Sequence, residues 1–317
     1  MMRNFWVCAA IIALAGCTVA TQSTPPATDP QVAAQQSTVD LPATVPPPSA
    51  KSRELALYYQ RVQNDLLTQG LLRGDGGGPD TPFTDTMLAR NFVRIALFNE
   101  YRDDSDFLTP RATVSTLRRW DQPIRMTVKF GDTVPLAQRD RDAASVGSYA
   151  ARLSRLSGVP ISITDDDPNF HVYFLGEDDR AGFSDKLRKI IPGISGATLR
   201  TVANLPREQF CFVIGTFEPG QSTYRHAVAL IRAEHPNLMR SACIHEELAQ
   251  GMGLANDSPS ARPSIFNDNE EFALLTRHDE FLIRILYDPR LQPGMSPATA
   301  APIARQIARE LMAQGAS

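Results

Sequence analysis

The run Cys243-Ile244-His245-Glu246-Glu247-Leu248-Ala249-Gln250-Gly251-Met252-Gly253-Leu254-Ala255-Asn256-Asp257 concentrates side chains that could do chemistry in this 317-residue chain. A helix that holds a hydrolytic metal carries ligands at i and i+4, since 3.6 residues per turn put those positions on one face, with a Glu beside the first to activate bound water. Read from His245, the second ligand position is Ala249, which has no donor atom. Read from Glu246, the two positions are Glu246 and Gln250, Glu247 takes the general-base place, Gly253 allows a turn, and Asn256 and Asp257 follow. The candidate metal ligands are therefore Glu246, Gln250 and Asn256, and the candidate catalytic group is Glu247. His245 lies about 100° around the helix from Glu246 and would join the site only if the helix start were distorted. Gln and Asn amide oxygens are hard donors matched to calcium or magnesium rather than zinc, so the expected cofactor is none or a weakly bound divalent metal. Burial of Glu247 beside Glu246 would raise the pKa of one of the pair, a state useful for catalysis. Two acids that merely begin a helix are the alternative.

The elements that must position this run are readable from periodicity. Apolar residues from Leu55 to Leu71 fall at helical spacing, so a helix is expected over about 53–72, ended by Gly74-Asp75-Gly76-Gly77-Gly78-Pro79. That glycine run lacks the Lys-Ser/Thr of a phosphate loop. Thr84 is the expected N-cap of a second helix through Phe98. Strands are expected at 124–130, 161–164, 170–175, 210–216 and 226–232, with a helix over 143–156 stopped by Gly158 and another over about 238–253. Asp165-Asp166-Asp167 lacks the Gly and Glu of a calcium loop and reads as a solvated turn. Asp279 to Leu286 is helical in spacing, and His278-Asp279 reads as a helix start or as a pair supporting a site.

Strand, helix, several strands and then a helix bearing acids and a His is the order of a zincin-type catalytic half. The run from Glu246 resembles the metzincin helix and turn with its three histidines replaced by Glu246, Gln250 and Asn256, and the turn at Met295 resembles the Met-turn of those enzymes. The motifs Cys243 to Gln250, Gly253-Leu254, Asn256-Asp257-Ser258, Ser264-Ile265-Phe266-Asn267-Asp268, His278-Asp279 and Leu286 to Met295 resemble a family of bacterial secreted proteins, the domain of unknown function 2927. These motifs span roughly the last third of the chain, and the family domain is expected to start near Arg125. The resemblance implies an α+β fold, a zincin-like mixed sheet with an active-site-type helix and N-terminal helices, in a cell-envelope protein. The expected layout is 1–16 signal peptide, 17–50 tether, 51–118 N-terminal helical segment and 119–317 zincin-like domain.

The address is expected from the N-terminus. An apolar run from Phe5 to Leu14 is too short to span a bilayer and reads as a signal peptide. It ends in Leu14-Ala15-Gly16-Cys17, which resembles a lipobox, so Cys17 is the expected lipidated residue. Thr18 after it favours the outer membrane, facing the periplasm. Residues 18–49 are rich in Thr, Pro, Gln, Ser and Ala, cannot bury enough apolar surface to offset chain entropy, and read as a tether. Once Cys17 is acylated, Cys211 and Cys243 remain in the mature chain and are expected to pair in an oxidising compartment, with two buried thiols as the alternative. A net charge of −3 for the whole chain, without a basic patch, argues against nucleic acid as a partner.

Two functions follow as expectations. The favoured one is a membrane-tethered periplasmic lipoprotein whose degenerate metallopeptidase-like domain is a non-catalytic scaffold, binding an envelope polypeptide as an added strand. The other is a hydrolase of peptides or peptidoglycan stems with Glu247 as general base.

Overall fold

The computed structural model describes residues 45–102, 108–218 and 220–314; Cys17, the expected signal peptide and the expected tether up to residue 44 lie outside the described residues. From Thr44 onward the chain forms one compact unit. It is a mixed α+β structure of eight helices, a five-stranded mixed sheet and a small two-stranded hairpin.

Helix α1 (Ala50–Thr68) starts earlier than its apolar spacing suggests, because the Ser49 side chain caps it by accepting from the Ser52 N–H. It ends earlier too, at a turn with Gly70 in the left-handed region. Thr84 caps α2 (Asp85–Ala96) by accepting from the Met87 N–H. The hairpin β1 (Phe98–Arg102) and β2 (Thr109–Val114) follows, so the stretch expected to be wholly helical also carries an antiparallel pair.

The sheet comprises β3 (Ile124–Phe130), β4 (Ile161–Ile163), β5 (Phe170–Leu175), β6 (Cys211–Phe217) and β7 (Tyr224–Arg232). Its order is β4-β3-β5-β7-β6, in which β6 alone runs antiparallel to its neighbour and forms one edge. Helix α3 (Leu136–Ser157) makes the crossover from β3 to the parallel β4, and Gly158 in the left-handed conformation closes it. Between β5 and β6 lie two short helices, α4 (Phe183–Ile190) and α5 (Gly196–Ala203). They cover one sheet face by packing Phe183, Leu187, Leu199 and Val202 against Phe212, Val228 and Leu230.

The other face carries the main core. There α6 (Asn237–Gly251) buries Cys243, Ile244 and Leu248 against the sheet, joined by α2, α3, α7 (Arg277–Leu286) and α8 (Pro297–Gln314). A backbone carbonyl fixes the end of α6: Gly251 O accepts from Trp120 Nε1 at 2.9 Å. Cys211 on β6 and Cys243 on α6 form a disulfide, which ties the edge strand to this helix. No helix among the described residues is long and apolar enough to cross a membrane.

Candidate functional site

Three features bring acids to one place. Helix α6 stands over β6, the chain after α6 doubles back at Gly253, and the hairpin reaches the same edge of the sheet. A cavity of about 350 Å³ results, lined by Glu246, Glu247 and Gln250 from α6, Cys211 to Val213 from β6, Glu100 and Tyr101 from β1, Asp257 after the turn, and Asp268 and Glu270 beyond it. With Glu208, the described lining holds seven acids, and no Lys, Arg or His stands among these described residues.

Glu246 and Gln250 share the cavity, as one helical turn of separation requires. Glu247, one residue on, also reaches it, and the carboxylate oxygens of Glu246 and Glu247 lie within 4.8 Å of each other and of Cys211 Sγ. That sulfur is already bonded to Cys243 and has no thiolate to offer. Glu247 is only 4 % exposed, and its Oε2 has no hydrogen-bond partner among the described residues. Gln250 Nε2 donates to Asp257 Oδ1 at 3.2 Å, a bond that leaves the Gln250 carbonyl oxygen available to another group.

Crowding of desolvated acids dominates the electrostatics. Burial, aided by the charges of Glu100 and Asp257, pushes the Glu247 carboxyl well above the usual carboxylate range. Burial does the same to Glu246, with Asp257 and Glu247 adding to it, and to Asp257, with Glu100 and Asp268 adding to it. Glu100 and Glu270 are raised to about 7, again mainly by burial. Such a cavity favours bound protons or a bound cation, because either removes like-charge repulsion that low-dielectric surroundings magnify.

Two of the sequence candidates stand elsewhere. His245 faces away from the cavity: its Nδ1 accepts from the Leu275 N–H at 2.9 Å and its ring stacks on Tyr149 at 4.0 Å between centroids. Burial, with Arg152 nearby, lowers its pKa to about 4, so it is a neutral imidazole anchoring the 275 segment. Asn256 is buried and donates through Nδ2 to the carbonyls of Arg94 and Asp257, at 2.9 and 2.8 Å, which pins the post-helix turn to α2. It is not among the cavity-lining residues; Asp257, its neighbour, is.

His278 and Asp279 act at a helix start. Thr276 and Asp279 form a capping box on α7, and Asp279 also accepts from Ser264 Oγ and the Ile265 N–H at 2.5 and 3.0 Å. His278 Nε2 pairs with Asn91 Nδ2 at 3.1 Å. The motif from Ser264 to Asp268 is thereby held in position to present Asp268 and Glu270. Met295 packs on the core, with its carbonyl accepting from the Leu117 N–H, and it does not line the acidic cavity. Asp165 lies on a turn, where it pairs with Lys129 at 2.8 Å.

Glu100, Glu208 and Glu270 were not sequence candidates. The only local hint was the polar run Asn267-Asp268-Asn269-Glu270-Glu271, which carries no helical or strand period. A second groove adjoins the cavity and shares Glu100, Tyr101, Phe212, Val213 and Gln250 with it. It continues along β6 past Ile214 and Gly215 to Phe217, with Leu108, Arg118 and Thr198 opposite.

No curated protein and no solved structure matches the chain. The family described as "Protein of unknown function (DUF2927)" matches residues 85–306. The matched span opens at the first residue of α2, not near Arg125, and so takes in the hairpin that supplies Glu100 and Tyr101 to the cavity. The match covers more than half of the sequence, and the chain belongs to the DUF2927 family of proteins of unknown function.

Proposed function

We propose that this domain is a degenerate metallopeptidase-like binding module that takes an extended polypeptide as an added strand along β6, in a lipoprotein anchored to the cell envelope through Cys17. The observation that carries the reading is the position of β6. Among the described residues it pairs with a strand on one side only, and the groove that adjoins the acidic cavity runs along this edge strand from Phe212 to Phe217. A free edge offers a row of main-chain donors and acceptors, and a peptide laid against it gains affinity from the main chain and selectivity from alternate side chains. The groove supplies side-chain contacts for that purpose, since Phe212, Ile214 and Phe217 line it together with Leu108.

The non-catalytic part of the reading rests on the donors. The helix that would hold a peptidase metal presents Glu246 and Gln250, its His245 is engaged by Leu275, and Asn256 is engaged by backbone carbonyls. Support for the metallopeptidase-like part comes from the order of elements, β3, α3, β4, β5, α4, α5, β6, β7 and then α6, in which a crossover helix and several strands precede the helix bearing the acids. A hydrolase reading draws on Glu247 alone, whose raised carboxyl and unpartnered Oε2 suit a proton-transferring group.

One experiment separates the two. Fluorescein-labelled heptapeptides rich in Val and Thr are titrated with the full-length protein and followed by fluorescence anisotropy, beside the same peptides with alternate amides N-methylated. Strand addition requires that the parent peptides bind, that N-methylation removes the binding, and that mass spectrometry recovers them intact. Equal binding of the N-methylated series would rule out strand addition. Peptide cleavage that disappears in Glu247→Gln would establish the hydrolase instead.

A further inference from the structure

We propose that the acidic cavity binds one calcium-type divalent cation, held by the carboxylates of Glu246, Glu247 and Asp257 and the side-chain carbonyl of Gln250, where the metzincin resemblance implies zinc. The inference stands on the donor set and does not depend on polypeptide binding.

Zinc does not fit the residues present. Its protein sites draw on His nitrogen and Cys sulfur with a minority of carboxylates, whereas this cavity offers oxygen donors alone. The one sulfur near the carboxylates is consumed by the disulfide, and the one imidazole of the helix is turned to Leu275. A hard cation fits them. Calcium takes six to eight oxygens at about 2.3–2.6 Å in flexible geometry, so a single ion can bridge Glu246 and Glu247, whose carboxylate oxygens lie within 4.8 Å, while Asp257 and Gln250 line the same cavity. Magnesium demands a short, near-ideal octahedron, and donors spread over a helix and a separate loop around about 350 Å³ suit the larger ion better.

Acidic residues grouped on a surface would not support a site by themselves. Here one of them is enclosed: Glu247 is 96 % buried, lines the cavity, and keeps Oε2 without a hydrogen-bond partner among the described residues. A buried carboxylate oxygen with nothing to accept from is destabilising unless a cation or proton meets it. Asp257 is steered toward the same space by its bond from Gln250 Nε2, which also leaves the amide oxygen free to ligate. Glu100, Asp268 and Glu270 surround this set and add negative potential, with no basic side chain among the described lining residues.

The test uses full-length protein stripped with chelator and then freed of it, titrated separately with CaCl2 and ZnCl2 in a calorimeter near neutral pH. The expected result is one calcium per chain, with a Kd in the range of about 1 μM to 1 mM spanned by sensor and extracellular sites. Glu247→Gln and Asp257→Asn should each weaken it at least about tenfold, in keeping with the loss of one charged ligand. Circular dichroism establishes that each variant is folded; Asp257 lies outside α6, so Asp257→Asn carries the test alone if Glu247→Gln does not fold. The proposal is overturned if CaCl2 up to about 10 mM gives no binding heat, well above the weakest expected Kd. Undiminished calcium affinity in the folded variants overturns it too, as does zinc bound more tightly than calcium at a site that both variants abolish.

Discussion

Glu100 and Glu270 carry the plainest electrostatic consequence of the cavity. Both carboxyls titrate at about 7 in the folded chain and near 4.5 when exposed, and burial is the main cause at each. Because the folded value is the higher one, the native state holds these protons more tightly than the unfolded chain does. The stability this contributes is fully present below about pH 4.5 and is lost as pH rises through about 7. At pH 8 without a divalent cation, Glu270 is therefore an ionised group in a crowd of like charges. Replacing it in Glu270→Gln, with chelator present, should raise the unfolding free energy at pH 8 by on the order of 2 kcal/mol and change it little at pH 4.5. Urea unfolding at the two pH values measures this. An equal effect at both would mean that the carboxyl acts through packing, not ionisation. His245 on α6 shows the opposite outcome of burial: with Nδ1 committed to the Leu275 N–H, it is held neutral and serves the loop that presents Glu270.

At the scale of elements, the turn that ends α6 determines which side chains share the cavity. Gly253 sits at φ 122°, and a Cβ built there would lie 2.3 Å from Arg118 O and 3.1 Å from Leu286 Cδ2. Neither the backbone angle nor the space admits a side chain, so Gly253→Ala should destabilise the fold by on the order of 3 kcal/mol, seen as a lowered thermal midpoint. A midpoint within error of the parent would show that the segment around Arg118 yields freely. This turn also marks the limit of what could be read from the sequence. The glycine and the α6 face were legible, since i, i+4 spacing alone puts Glu246 and Gln250 together. Which of Asn256 and Asp257 would enter the cavity was not, because that depends on Asn256 finding the carbonyl of Arg94 on a distant helix. Strands β3 and β5 fall at their expected bounds, β3 through apolar residues that alternate toward the main core and β5 as a central strand buried along nearly its whole length. The β1–β2 hairpin escaped notice because β2 is almost wholly exposed and has no apolar alternation to detect. Helices α4 and α5 are eight residues each, split by Pro192-Gly193, too short for a 3.6-residue period to stand out. The Ala-rich α8 opens with Pro297 and carries Pro302 inside it, residues that read as breakers, although the helix as a whole packs against α2 and buries other residues such as Ala300 and Ala304 in the core.

Across the whole molecule, three apolar clusters must be held in register for the site to exist. The main core lies between one sheet face and the helices, a second cluster between the opposite face and α4 and α5, and a third joins α1 to the start of α6 through Tyr59 and Met239. The Cys211–Cys243 disulfide sits where these meet. Phe212, next to Cys211, points into the second cluster, Phe210 packs on the third, and both cysteines belong to the first. A cross-link of 32 residues' separation removes unfolded-chain entropy worth roughly 3–4 kcal/mol in the loop-closure account. Reduction should therefore lower the thermal midpoint by about 6–16 °C, taking about 2–4 °C per kcal/mol for a domain of this size. It should leave the far-UV spectrum at 25 °C unchanged, because the two side chains stay buried in the core with or without their bond. The Cys211→Ala, Cys243→Ala double variant separates the bond from the reagent: it should match the reduced parent and lose nothing further on addition of reductant. If reduction instead unfolds the chain outright at 25 °C, the three clusters are not self-supporting, and the link between β6 and α6 is what holds the cavity together.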